Sequence, residues 1–110
     1  MADKIRLVQG DTRPAIVCTL TDENTGNPIT LNGATVYLKF RQVGATVLTG
    51  TLTGTISNAA GGVVVFYWAQ DPTILDGPAG DYEGEIEIVF SDSTRQTVYD
   101  PLKFKIREDF

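Results

Sequence analysis

Glu83, Glu85 and Glu87 fall on every second residue of one stretch, the spacing that puts side chains on a single face of a β-strand. Two carboxyls can serve as acid and base on a glycosidic bond, but this needs a groove and one desolvated acid. Cations follow the same spacing elsewhere: Lys39 and Arg41 in one stretch, Lys103, Lys105 and Arg107 in another. Opposite charges on neighbouring strands contribute roughly 0.2–1 kcal/mol per pair, with exposed pairs toward the low end. The pattern reads first as a solvated face whose charges select strand neighbours. A sharper reading makes it a contact surface between subunits, and a carboxylate pair for hydrolysis ranks third.

The remaining chemical repertoire is thin. The chain has no histidine, which excludes Ser-His-Asp, Cys-His and histidine-ligated zinc chemistry within it. Cys18 is the only cysteine, so no intrachain disulfide can form, and a cytosolic or assembled-particle protein is expected. Asp22, Asp71, Asp76, Asp81, Asp92 and Asp100 could in principle hold calcium, but none follows the Asp-x-Asp-x-Asp-Gly spacing. Their setting among turn formers points to aspartates that cap backbone N–H groups. Tyr67 and Trp68 are adjacent, so one should face the core and the other solvent, where an aromatic ring could stack on a sugar. No catalytic, cofactor-binding or metal-binding residue is assigned. A net charge of −5 argues against a nucleic-acid partner, which requires a basic stripe. No apolar run is long enough for a signal peptide or a membrane span, so no membrane partner is expected.

The elements that must position these residues are strands. The clearest follows the turn at residues 76–80. Tyr82, Gly84, Ile86, Ile88 and Phe90 share one face, and Glu83, Glu85, Glu87 and Val89 share the other. Tyr82 just past Gly80 has the look of a tyrosine corner, in which the phenol hydroxyl ties back to upstream backbone; an ordinary buried strand tyrosine is the alternative. Residues 5–8 make a short first strand. Ile16, Cys18 and Leu20 form one inward face, and Val36, Leu38 and Phe40 another, with Tyr37, Lys39 and Arg41 outside. Residues 63–68 are a nearly continuous β-branched and aromatic run, read as a strand. Residues 94–99 extend again, and 102–107 make the last strand. Residues 21–28 are a solvent loop, and residues 72–75 allow at most one helical turn.

Residues 47–56 are the unusual segment. They alternate threonine with glycine or a lone aliphatic residue, so neither face is strongly apolar, and an edge strand with weakly specified register is expected. Thr49, Thr51, Thr53 and Thr55 would offer unpaired backbone groups there to a neighbouring chain. The whole reads as one all-β domain over residues 1–110, an immunoglobulin-like sandwich of seven or eight antiparallel strands.

Several stretches resemble a known family. Residues 5–14 (Ile-Arg-Leu-Val-Gln-Gly-Asp-Thr-Arg-Pro), residues 31–40, the strand from Gly62 to Trp68, and residues 79–85 (Ala-Gly-Asp-Tyr-Glu-Gly-Glu) are similar to the N-terminal domain of tailed-phage baseplate upper proteins. The resemblance implies a non-enzymatic, immunoglobulin-like structural part of a virion, partnered by other virion proteins and by copies of itself. In that family the domain usually heads a longer chain that engages the adhesin. A sequence stopping at Phe110 leads instead to the expectation of a small particle component in baseplate, neck, tail or capsid decoration. A carbohydrate-binding module, with a glycan partner at Tyr67 or Trp68, is the alternative. In antibody domains the strand of Cys18 carries half of an inter-sheet disulfide, and the other half would fall at Gly84, so packing must replace that bridge.

Overall fold

The computed structural model describes residues 4–98 and 100–110. Among the described residues nine strands form two sheets: β1 (Ile5–Val8), β2 (Ile16–Thr19), β3 (Thr35–Gln42), β4 (Gly50–Thr53), β5 (Thr55–Asn58), β6 (Val63–Phe66), β7 (Gly80–Val89), β8 (Arg95–Thr97) and β9 (Leu102–Arg107). The larger sheet runs β1-β9-β7-β3-β4, with β8 also paired to β7, and the smaller runs β2-β6-β5. Every pairing between named strands is antiparallel except the one between β1 and β9, the first and last strands. This is an all-β architecture of two packed sheets, compatible with a sandwich.

Alternation decides which faces meet. Along β7, Tyr82, Gly84, Ile86 and Ile88 are buried, while Asp81 and Glu85 are exposed and Glu83 and Glu87 partly so. Along β3, Val36, Leu38 and Phe40 are buried. These two strands pair over eight positions from Thr35↔Val89 to Gln42↔Tyr82, the longest register in the molecule. Phe40 is the hub of the aromatic core. It stacks on Tyr82 with ring centroids 4.9 Å apart and meets Trp68 and Phe104 edge-on, each at 5.2 Å, arrangements that suit the ring quadrupoles. Val64, Phe66 and Ile16 bring the smaller sheet to the same core.

The segment over residues 47–56 lies at sheet edges, as its composition suggests, but not as one strand. It is two strands, and the chain leaves the larger sheet after Thr53 and enters the smaller at Thr55. Leu52 is fully buried, so the segment does contribute to the core. The crossing needs glycine at position 54, since a Cβ there would lie 2.4 Å from Val64 Cγ2 and 2.9 Å from Phe66 Cε1. Splitting this segment helps bring the total to nine strands among the described residues, where seven or eight were expected. The run at residues 63–68 is also shorter as a strand. It stops at Phe66, and Trp68–Gln70 form a single 3-10 turn that swings the indole into the core. The strand expected over residues 94–99 covers only Arg95–Thr97, and Tyr99 lies outside the described residues.

Cys18 faces inward on β2 and packs against the core. Burial pushes its thiol up to about 11, so the reactive thiolate is scarce at neutral pH. The inward space at Gly84 is filled by Leu38, whose Cδ1 would stand 2.6 Å from a Cβ placed there, so packing occupies that place. Native Cys18 is expected to react with a thiol reagent far more slowly at pH 8 than the urea-unfolded chain does, and equal rates would mean that the thiol is open. Because the folded thiol titrates above the unfolded one, stability is full below about pH 9. It declines as pH rises from there through about 11.

Candidate interaction surface

The outer face of β9-β7-β3 gathers most of the charges singled out in the sequence. β7 lies between the two basic strands, so an acidic row of Asp81, Glu83, Glu85 and Glu87 is flanked on both sides by cations. Arg41 stands opposite Glu83 and its Nε donates to Glu83 Oε2 at 2.7 Å. Lys39 stands opposite Glu85 but reaches diagonally to Glu87 Oε2 at 3.2 Å. On the other flank the pairing departs from a glutamate–lysine match. Lys105 approaches Asp81 at 3.7 Å, and Lys103, opposite Glu83 in register, makes no ion pair among the described residues.

Asp81 is thus a strand residue and not one of the turn aspartates. Lys4 donates to its Oδ1 at 3.1 Å, and with Lys105 close by this holds the Asp81 carboxyl below the usual carboxylate range. A lowered pKa means that this contact supports the fold at neutral pH and is lost as acid protonates Asp81. The Asp81 side chain is exposed, so salt screens the effect. Asp22 and Asp92 do behave as turn caps. Asp22 Oδ1 accepts the N–H of Asn24 at 2.8 Å, and Asp92 Oδ1 accepts both the N–H and the hydroxyl of Thr94, which lowers the Asp92 pKa. Among the described residues, no three carboxylate or thiol groups converge as metal ligands.

The β3–β4 hairpin adds apolar surface beside the charges. Val43, Val47 and Leu48 are largely exposed. Leu48 borders an open hollow of about 220 Å³ with Lys39, Arg41, Glu83, Glu85 and Pro101. Sequence reasoning passed over these hairpin residues because three scattered aliphatics in a loop carry no periodic signal. No charged residue of the described chain is buried, so the hollow lacks the desolvated acid that glycoside hydrolysis requires.

Tyr82 anchors the start of β7. Its hydroxyl donates to the carbonyl of Pro78, four residues upstream, at 2.6 Å, and burial raises the phenol pKa. Gly80 at the head of the strand has φ +140°. Tyr82→Phe is expected to lower stability by about 0.5–1.5 kcal/mol, the range for one lost hydrogen bond, measured by urea denaturation. A change within error would show that water replaces the bond at no cost.

The threonines are divided by the fold. Thr51 and Thr53 lie on the edge strand β4, Thr55 begins β5 in the other sheet, and Thr49 sits in the hairpin with its N–H bonded to the carbonyl of Phe40. All four are exposed. They do not form one continuous edge. Of the two aromatics, Trp68 is fully buried and is removed as a sugar platform; Tyr67 is half-exposed.

Set against known proteins, the chain matches no family model and no curated protein.

Proposed function

We propose that this chain is a non-enzymatic, immunoglobulin-like structural domain of a tailed-phage virion, which works by protein–protein contact. The observation that carries the contact role is the outer face of the larger sheet. Ion-paired rows of charge lie beside the exposed Val43, Val47 and Leu48, a mixture of apolar anchors and polar surroundings that suits an interface. The immunoglobulin-like assignment is supported by the division of strands into β1-β9-β7-β3-β4 and β2-β6-β5 and by the Tyr82–Pro78 bond. The buried tryptophan is a departure, following β6 instead of lying on β3. Virion membership rests on the resemblance of the four sequence stretches. A non-enzymatic role accords with the absence of histidine and the inward thiol.

The test is co-production with the structural proteins encoded beside it, followed by purification of the particles or subassemblies. The wild-type chain should co-purify, and a folded Leu48→Asp variant should not. Normal incorporation of that variant would remove this face from consideration, and failure of the wild type to associate would sink the virion reading. A carbohydrate-binding role retains Tyr67 as its one accessible platform of the two. Robust binding on a glycan array, abolished by Tyr67→Ala, would favour it.

A further inference from the structure

The outer edge of β4 carries a feature that the contact face does not use. In the antiparallel ladder with β3, Gly54 N–H donates to the Val36 carbonyl, and the register pairs Leu52 with Leu38 and Gly50 with Phe40. Alternation then turns the main-chain groups of Thr51 and Thr53 away from β3, toward the open edge. At Thr53 that edge is already filled. Gln70 Oε1 accepts the Thr53 N–H at 2.6 Å, and Gln70 Nε2 donates to the Thr53 carbonyl at 3.1 Å. The side-chain amide reproduces the donor and acceptor of a peptide group on a neighbouring strand. Its backbone is held in place by the 3-10 turn that follows from the buried Trp68. Thr51, two residues away, is exposed.

We infer that the β4 edge is a latent self-pairing surface for a second copy of this chain, and that the Gln70 amide is the latch that keeps it closed. The occupant follows from symmetry. Two β4 strands laid antiparallel about a two-fold axis at Leu52 would match Thr51 of each copy with Thr53 of the other. That pairing makes four hydrogen bonds from the outward groups alone, in an isologous contact. Gln70 takes the Thr53 half of every such pair, so the pairing cannot form while the amide is in place. Edge strands commonly need a device of this kind against unwanted pairing. The inference concerns the chain by itself and stands whether or not it is built into a particle.

Amide exchange of the wild-type monomer, with sedimentation of variants, tests it. The Thr53 amide should exchange roughly tenfold or more slowly than that of Thr51. Gln70→Ala should give a concentration-dependent dimer in which Thr51 becomes protected. Adding Thr51→Pro, which deletes an outward N–H needed only for the new pairing, should return the monomer. Comparable exchange of Thr51 and Thr53 in the wild type would overturn the inference. So would a folded Gln70→Ala chain that stays monomeric, or a dimer that survives Thr51→Pro. Should Gln70→Ala fail to fold, Gln70→Met supplies the same reading without the amide, and failure of both would overturn the latch by making Gln70 a folding residue.

Discussion

Trp68→Ala is expected to lower the unfolding free energy by about 3–5 kcal/mol, the range for deleting a large buried aromatic. The indole is fully buried and lies edge-on to Phe40 at 5.2 Å and to Phe104 at 5.7 Å. It leaves the end of β6 and lands on β3 and β9, so it couples the smaller sheet to the larger. Its removal leaves a cavity bounded by rings already held by other neighbours, which limits relaxation. A domain of this size has about 5–15 kcal/mol in total, so much of the stability would go. Trp68→Phe should cost clearly less. It keeps most of the ring volume and removes an indole N–H that has no hydrogen-bond partner among the described residues, and a buried unpaired N–H is itself unfavourable. Trp68 is the only tryptophan, so the variants should be followed by far-UV circular dichroism in urea. A loss under about 1 kcal/mol for the alanine variant would contradict this account of the core.

Gly62→Ala is expected to cost about 2–5 kcal/mol, from two sources that do not depend on each other. Gly62 has φ +70°, a left-handed conformation that costs an L-residue about 1–2 kcal/mol. Its added Cβ would also lie 2.5 Å from the Leu20 carbonyl oxygen and 2.9 Å from that of Ile29. The Leu20 oxygen cannot easily withdraw. The Leu20 carbonyl accepts the Ile29 N–H at 2.9 Å, and the Leu20 N–H donates to the carbonyl of Gly62 itself at 2.8 Å. Overpacking of this kind adds about 1–3 kcal/mol. Gly44 supplies the control. It has φ +85°, and an added methyl there would meet nothing within 4 Å, so Gly44→Ala should show the backbone cost alone. Equal losses for the two variants, measured by chemical denaturation, would mean that the 20–29 segment yields and that the contact is worth little.

Much of this architecture is legible residue by residue along the chain. The burial of Tyr82, Gly84, Ile86 and Ile88, of Val36, Leu38 and Phe40, and the inward turn of Cys18 follow from period-two alternation. That signal is local, because a strand's two faces are written in adjacent residues. The charge rows on β3, β7 and β9 are legible in the same way, and their opposite signs favour the pairing.

What residues 47–56 do was decided only in three dimensions. Glycine has no side chain to declare a face, and Leu52 alone cannot establish a period, so the crossing at Gly54 depends on the Val64 and Phe66 side chains it must pass. The adjacent Tyr67 and Trp68 offered two equivalent assignments until the 3-10 turn sent the indole inward. Lys39 chose Glu87 over the directly opposed Glu85, and Gln70 found Thr53 seventeen residues away, because both contacts depend on how separate strands and turns are placed. The sequence alone therefore determined most of the strands and their inward faces, whose periodicity needs no partner. Tertiary structure decided the sheet switch, the parallel pairing of β1 with β9 and the closing of the β4 edge, each of which requires two distant segments to meet.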